Sequence, residues 1–336
     1  MKFSKSASLK ILSIAAICTL AVNPAVLQAA TMYYQTNLAS DIPGLAAHTD
    51  PNLINPWGMS FGATSPFWVS DQGTNRSTLY NGTGTPQALV VTTPPGPTGQ
   101  VFNGTSSFKL DGTNPAFFLF SSLSGTISGW NPAVSPTSAV VKFTATDGAV
   151  YTGLASGPSN LYAADFANGK IDSFDASFDK VTLAGSFTDP GLPMGYVPYN
   201  IQNVGGSLYV EYAKVDPVTH RASEDTNQGI VDVFDTSGNF VRRLATAANL
   251  SSPWGITLAP AKFGDFSNDL LVGNFGDGTI SVFDPTTGAF LGKLLDASGH
   301  AISNDGLWAL TFGHLRGIPL WWRLLDCSFG AFGFLP

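Results

Sequence analysis

One short element recurs six times along this chain. It reads Pro56-Trp57-Gly58-Met59, Phe102-Asn103-Gly104-Thr105, Tyr151-Thr152-Gly153-Leu154, Tyr199-Asn200-Ile201-Gln202, Pro253-Trp254-Gly255-Ile256 and Leu307-Trp308-Ala309-Leu310. A period of about fifty residues fits one small sheet per repeat. Such a sheet cannot bury both faces alone and has to stack against copies of itself. Six openers therefore predict six stacked sheets.

The segments after the openers support this. Residues 161–175 and 270–284 both read as an apolar strand, a Gly-containing turn and a second strand that ends in Phe-Asp. Residues 67–81 and 118–131 are looser copies. In the fourth repeat the two strands, Leu208-Tyr209-Val210 and residues 230–235, are separated by a polar stretch at 216–228. Alternating apolar residues give each strand two faces. Asn-Gly and Asp-Gly pairs supply the positive φ of tight hairpins. Asp71, Asp165 and Asn274 recur at matching turn positions, where capping is the simplest role.

The pattern Leu-x-Val-x-Asp-x-x-x-Gly-x-Ile-x-x-Phe-Asp resembles an NHL repeat. Residues 41–45, 50–58, 127–132, 186–190 and 271–278 further resemble an uncharacterised family of exported bacterial propeller proteins, over about residues 37–313. The resemblance implies an all-β, six-bladed β-propeller and no particular reaction.

The first 30 residues read as a signal peptide: Lys2, Lys5 and Lys10, an apolar run from Leu9 to Val22, then Ala29-Ala30. The run is shorter than the roughly 20 residues a membrane span needs. An exported protein, periplasmic or extracellular, is expected, with no span after cleavage. The leader holds three of the 16 basic residues and none of the 23 acidic ones, so the remainder carries a net charge of −10. That balance argues against nucleic acid as a partner. Cys18 leaves with the leader, so Cys327 has no disulfide partner. A monomer is expected.

The propeller is expected over residues 31–313, with residues 32–38 as an N-terminal closing strand. After Gly313 the turn chemistry stops and an apolar tail begins, with Trp321, Trp322 and Cys327 close together. The sixth blade is therefore expected to be incomplete. A shifted reading frame near Gly313 explains the change; a genuine variant whose aromatic tail packs on the propeller is the alternative.

Chemistry is less legible. No nucleophile elbow, zinc-protease helix motif, P-loop or dinucleotide fingerprint occurs. His48, His220, His300 and His314 show no ligand spacing, and the only glutamates are Glu211 and Glu224. Six-bladed lactonases resembling regucalcin hold a divalent metal in the axial channel. The matching region here offers Asn55, Asn103, Asn200 and Asp305, oxygen ligands suited to a calcium-like ion. The plainer reading is that Asn103 and Asn200 satisfy backbone groups at strand starts. Trp57, Trp254 and Trp308 occupy matching opener positions, as core aromatics or as a floor for a sugar or another ring. The stretch 214–228 carries His220, Arg221, Glu224 and Asp225, either a solvated loop or a binding rim. Two functions remain: a binding or interaction propeller for a small molecule, glycan or protein, with no cofactor, or a divalent-metal-dependent hydrolase of the lactonase or esterase type.

Overall fold

A computed structural model describes residues 31–313, 323–328 and 331–335. The leader and His314 lie outside the described residues. The strands form six sheets. The first blade comprises Pro56–Ser60, Phe67–Asp71, Arg76–Tyr80 and Val91–Thr92. The second comprises Pro97–Phe102, Phe118–Ser122, Thr126–Trp130 and Val140–Thr144. Tyr151–Ser156, Leu161–Asp165, Lys170–Phe174 and Lys180–Val181 make the third. Tyr196–Val204, Ser207–Lys214, Ile230–Phe234 and Phe240–Thr246 make the fourth. The fifth runs Pro253–Leu258, Leu270–Asn274, Ile280–Phe283 and Phe290–Lys293. Neighbouring strands within these five blades are antiparallel. The first strands of successive blades contact one another in turn, and the last blade returns to the first. The chain is thus a β-propeller with its opening strands around the axis.

The sixth sheet corrects one expectation. Its strands are Leu310–Gly313, Arg323–Ser328, Ala331–Leu335 and Thr36–Ser40, with His48–Thr49 added parallel at the outer edge. The backbone beyond Gly313 therefore supplies two strands of this blade, and the propeller does not stop at 313. The physical reason is visible in Leu324-Leu325 and Cys327-Ser328, which match Phe118-Leu119 and Ser121-Ser122, although Asp326 stands where Phe120 does. Cys327 is buried, and its amide donates to Ala309 O at 3.1 Å. Trp321 and Trp322 lie outside the described residues.

An N-terminal strand does close the ring, but further along than 32–38. Thr36 pairs with Phe334, and Ser40 with Ala331. Residues 32–33 instead dock on the fifth blade: Tyr33 N donates to Leu295 O at 2.8 Å and its ring stacks on Phe263 at 4.8 Å.

Between blades the packing is apolar and dense. Leu208, Val210 and Tyr212 pack toward Tyr162, Ala164 and Ile171 of the third blade. On the other face, Tyr209 and Val231 pack toward Ile256, Leu270 and Val272 of the fifth. Two of the three predicted caps behave as such, while Asp71 Oδ2 accepts from the Thr78 hydroxyl at 2.8 Å. Asp165 Oδ1 accepts from the amides of Val150 (3.1 Å) and Asn168 (3.2 Å), and Asn274 Oδ1 accepts from Ser251 N at 2.9 Å.

Candidate functional site

The axial strands approach so closely that most have no side chain at the point of contact. A Cβ on Gly58 would collide with Thr98 O, one on Gly99 with Leu154 N, and one on Gly255 with Trp308 O. This contact defines the true equivalents around the axis: Gly58, Gly99, Gly153, Asn200, Gly255 and Ala309. The second opener is thereby corrected. Phe102 ends its strand, and the matching element is Thr98-Gly99-Gln100. Thr-Gly-Gln lacks the aromatic that marks most of the others, which is why the sequence hides it.

Asn103 consequently lies away from the axial ring. Its Nδ2 donates to Ala116 O at 2.9 Å, and its Oδ1 accepts from Thr105 N at 3.1 Å. It closes a surface loop. Asn200 does belong to the axial ring, where its Nδ2 donates to Trp254 O at 2.6 Å. Asp305 is exposed in a turn. Asn55 sits at the mouth where the axial strands begin. The four oxygen ligands suggested by the lactonase resemblance are therefore not brought together; Asn103 and Asn200 serve the backbone instead. The closest carboxylate group among the described residues is elsewhere: Asp147, Asp165 and Asp172 approach within 4.8 Å. Lys170 fills it at 2.9 Å from Asp147, and Lys180 lies 2.7 Å from Asp172.

The residue before each small residue points to the axis. Blades two and three place Thr98 and Thr152 there, and the other four place Trp57, Tyr199, Trp254 and Trp308. Trp57 and Trp308 stack with centroids 3.6 Å apart and planes 20° apart. Trp254 stands edge-on to both, at 6.2 and 5.8 Å. Phe275 lies 4.3 Å from Trp308, and Tyr199 5.8 Å. Trp254 Nε1 reaches the third blade and donates to Thr152 O at 3.0 Å. The three tryptophans are thus core aromatics, and two of them also form the floor of a cavity.

That cavity, of about 760 Å³, opens at the mouth where the axial strands begin. Asn55, Trp57, Tyr199 and Trp308 line its floor, and His220 and Arg221 stand above them. A second cavity of about 300 Å³ lies at the opposite end of the axial strands, bordered by Gln100, Phe102, Asn200, Gln202, Trp254 and Thr311. The structure therefore gathers Asn55, Trp57, Trp308, His220 and Arg221 at one place. Trp254, Asn200 and Asn103 are not part of that group. Tyr199, Gln72 and Phe275 join it, although residue type and spacing do not mark them as site residues.

The loop over the larger cavity is held in shape by its own sequence. Asp216 Oδ1 accepts from the amides of Thr219 (2.6 Å) and Val218 (2.9 Å). These bonds hold its carboxyl below the ordinary aspartate range. His220 takes a left-handed φ of 56° to finish the turn. Ser223 N donates back to Lys214 O at 2.8 Å, and the Ser252 hydroxyl of the fifth blade donates to Ser223 O. The rim is thus tied to two blades.

No known family model matches the chain. Among solved structures it is similar to a streptogramin B lyase, with a TM-score of 0.55 at 12% identity over 90% of this chain and 97% of that one. It is also similar to a Bacteroides thetaiotaomicron protein of unknown function, with a TM-score of 0.58 at 12% identity over 90% and 76%. At such identities the likeness establishes the β-propeller fold. Two sequence relatives are much nearer, both uncharacterized proteins of Acanthamoeba polyphaga mimivirus. One is 36% identical over 304 residues, 84% of this chain and 74% of the viral protein. The other is 34% identical over 307 residues, 86% and 81% respectively. The expected bacterial affiliation is thus not supported, because the sequence relatives are viral. This chain belongs to the family that those two mimivirus proteins represent.

Proposed function

We propose that the protein is an exported propeller that binds a small ring-bearing molecule in the cavity beneath residues 216–225. One observation carries the reading. The fourth blade's interruption of the repeat lies directly over a floor of aromatic side chains, and the two enclose about 760 Å³. That volume suits a small ligand. The floor offers apolar contact, and the rim offers Arg221, His220 and Glu224 for orientation. The placing of Asn103 and Asp305 away from the axis favours binding over metal-dependent hydrolysis.

The test is a panel of mono- and disaccharides and small aromatic compounds, monitored by tryptophan emission, because Trp57 and Trp308 form the floor. A bound compound should change emission in the parent protein and fail to do so in Trp308→Ala. If none of the panel binds, or if binding persists after residues 216–225 are removed, this reading falls.

A further inference from the structure

The polar groups around the larger cavity differ in what they have left to offer. The difference starts at Trp308. An indole N–H can only donate, so Asn55 must present Oδ1 to Trp308 Nε1, 3.1 Å away. Asn55 Nδ2 is then left to donate to Gln72 Oε1 at 2.9 Å. This uses the oxygen of Gln72 and fixes its orientation, because turning either amide would set donor against donor or acceptor against acceptor. Gln72 Nε2 has no acceptor among the described residues, and Gln72 lines the cavity.

Tyr199 provides a second uncommitted donor. It is 5% exposed and lines the same cavity. Its hydroxyl has no hydrogen-bond partner among the described residues. Burial, with the Glu224 carboxylate nearby, holds that hydroxyl well above the ordinary tyrosine range and so keeps its proton in place. Above these two stands Arg221, which forms no ion pair among the described residues. The acidic neighbours are partly occupied: Asp216 by loop amides, and Asp225 by Gln228 Nε2 at 3.2 Å. The stacked Trp57 and Trp308 rings, with Phe275 tilted against Trp308, line the same cavity. An occupant that displaces water from these donors without supplying acceptors leaves them unpaired at a cost, so a well-matched occupant supplies oxygen acceptors there.

Resting on the binding reading above, we infer that the cavity selects a ring compound bearing a carbonyl or carboxylate oxygen. Tyr199 and Gln72 donate to that oxygen, and the Trp57–Trp308–Phe275 group packs against the ring. The loop carboxylates and the acidic balance of the chain disfavour ligands with several negative charges.

Three probes of one shape test this on the full chain by tryptophan quenching: phenylacetate, phenylacetamide and phenethylamine. Phenylacetate or phenylacetamide should bind at least about tenfold more tightly than phenethylamine, which has the ring but no oxygen acceptor. Which of the two leads identifies the acceptor as carboxylate or carbonyl. Tyr199→Phe and Gln72→Leu should each reduce that preference about tenfold while leaving phenethylamine unchanged. Gln72→Glu keeps the acceptor for Asn55 but replaces the cavity donor with a carboxylate, so it should weaken phenylacetate more than phenylacetamide. This variant keeps the test sound if Gln72→Leu does not fold. Equal, loop-dependent binding of all three probes overturns the acceptor inference and leaves the ring-binding reading intact. No binding of any ring compound overturns both.

Discussion

The third and fourth blades share a plan and differ at four positions. In the third, Gly153 pairs with Ala164, Asp165 caps the strand end, and residues 166–169 make a short turn. In the fourth, Asn200 pairs with Glu211, Tyr212 stands where Asp165 does, and residues 215–229 replace the turn. The third blade is built for close stacking. The fourth gives up small residues near the axis and gains a loop that shapes a cavity. The departures from the repeat are concentrated in the blade that carries the cavity's rim, so irregularity here marks specialisation more than decay.

The strongest way to break this contrast is to make the fourth blade like the third. Replacing residues 215–229 with Phe166-Ala167-Asn168-Gly169 should abolish ring-compound binding in a calorimetric titration. The melting temperature should fall but the fold should persist, because the loop adds only Val215 and Ala222 to the apolar core and a few hydrogen bonds to the fifth blade. If binding survives the exchange, the loop is not the rim.

A second test concerns Glu211. Its side chain is fully buried, and neither carboxyl oxygen accepts a hydrogen bond among the described residues. Blades one, two, three, five and six place Ser70, Ser121, Ala164, Gly273 and Cys327 at this position. Burial pushes the Glu211 carboxyl well above its ordinary range. The folded state thus holds a proton that the unfolded chain releases at about pH 4.3, and stability declines as pH rises from there toward the raised value. Glu211→Gln should flatten that decline and stabilise the protein at pH 7 by about 1–3 kcal/mol. Urea denaturation at pH 5 and pH 8 measures both effects, and an unchanged pH slope would show that Glu211 ionises freely.

Asp165→Ala probes the regular side of the comparison. It leaves the amides of Val150 and Asn168 without their acceptor and should cost about 1–2 kcal/mol in the same denaturation assay. Ligand affinity should change less than in the loop exchange, although the Val150 amide that loses its acceptor borders the cavity.

The most local effect is expected at Asp232 in the fourth blade. Burial raises its carboxyl to about 7, although Arg243 Nε lies 3.0 Å from it and opposes the shift. Its contribution should be present below about pH 4 and fade as pH rises through about 7. A carbon-13 chemical-shift titration of that carboxyl checks the midpoint. An ordinary aspartate value would mean that Arg243 prevails.

Much of the fold could be read from the sequence because each blade repeats its turn chemistry. Asp165 and Asn274 mark strand ends whose backbone amides need acceptors, and the structure uses both in that way. The second blade escaped because its axial element, Thr98-Gly99-Gln100, lacks the aromatic before or within the element that marks its counterparts. The last blade escaped because Asp326 interrupts the apolar pattern of its second strand and the Asn-Gly and Asp-Gly signals around it are missing. At the site, Trp57, Trp308, His220 and Arg221 stood out by type or position. Gln72 did not, since its importance comes from a hydrogen-bond chain that starts far away at Trp308. Commitments of that sort depend on which atoms meet in space, and residue type alone does not encode them.

The pairing of Thr36–Ser40 with Ala331–Leu335 also sets an order in time. An early-synthesised strand waits for one made almost a full chain length later. Contacts so distant in sequence form slowly. Until the late strand arrives, the early one is an unprotected edge, open to strands of other molecules. Damage near residue 331 would therefore be felt first at residue 40, as misassembly between molecules before any loss of stability within one.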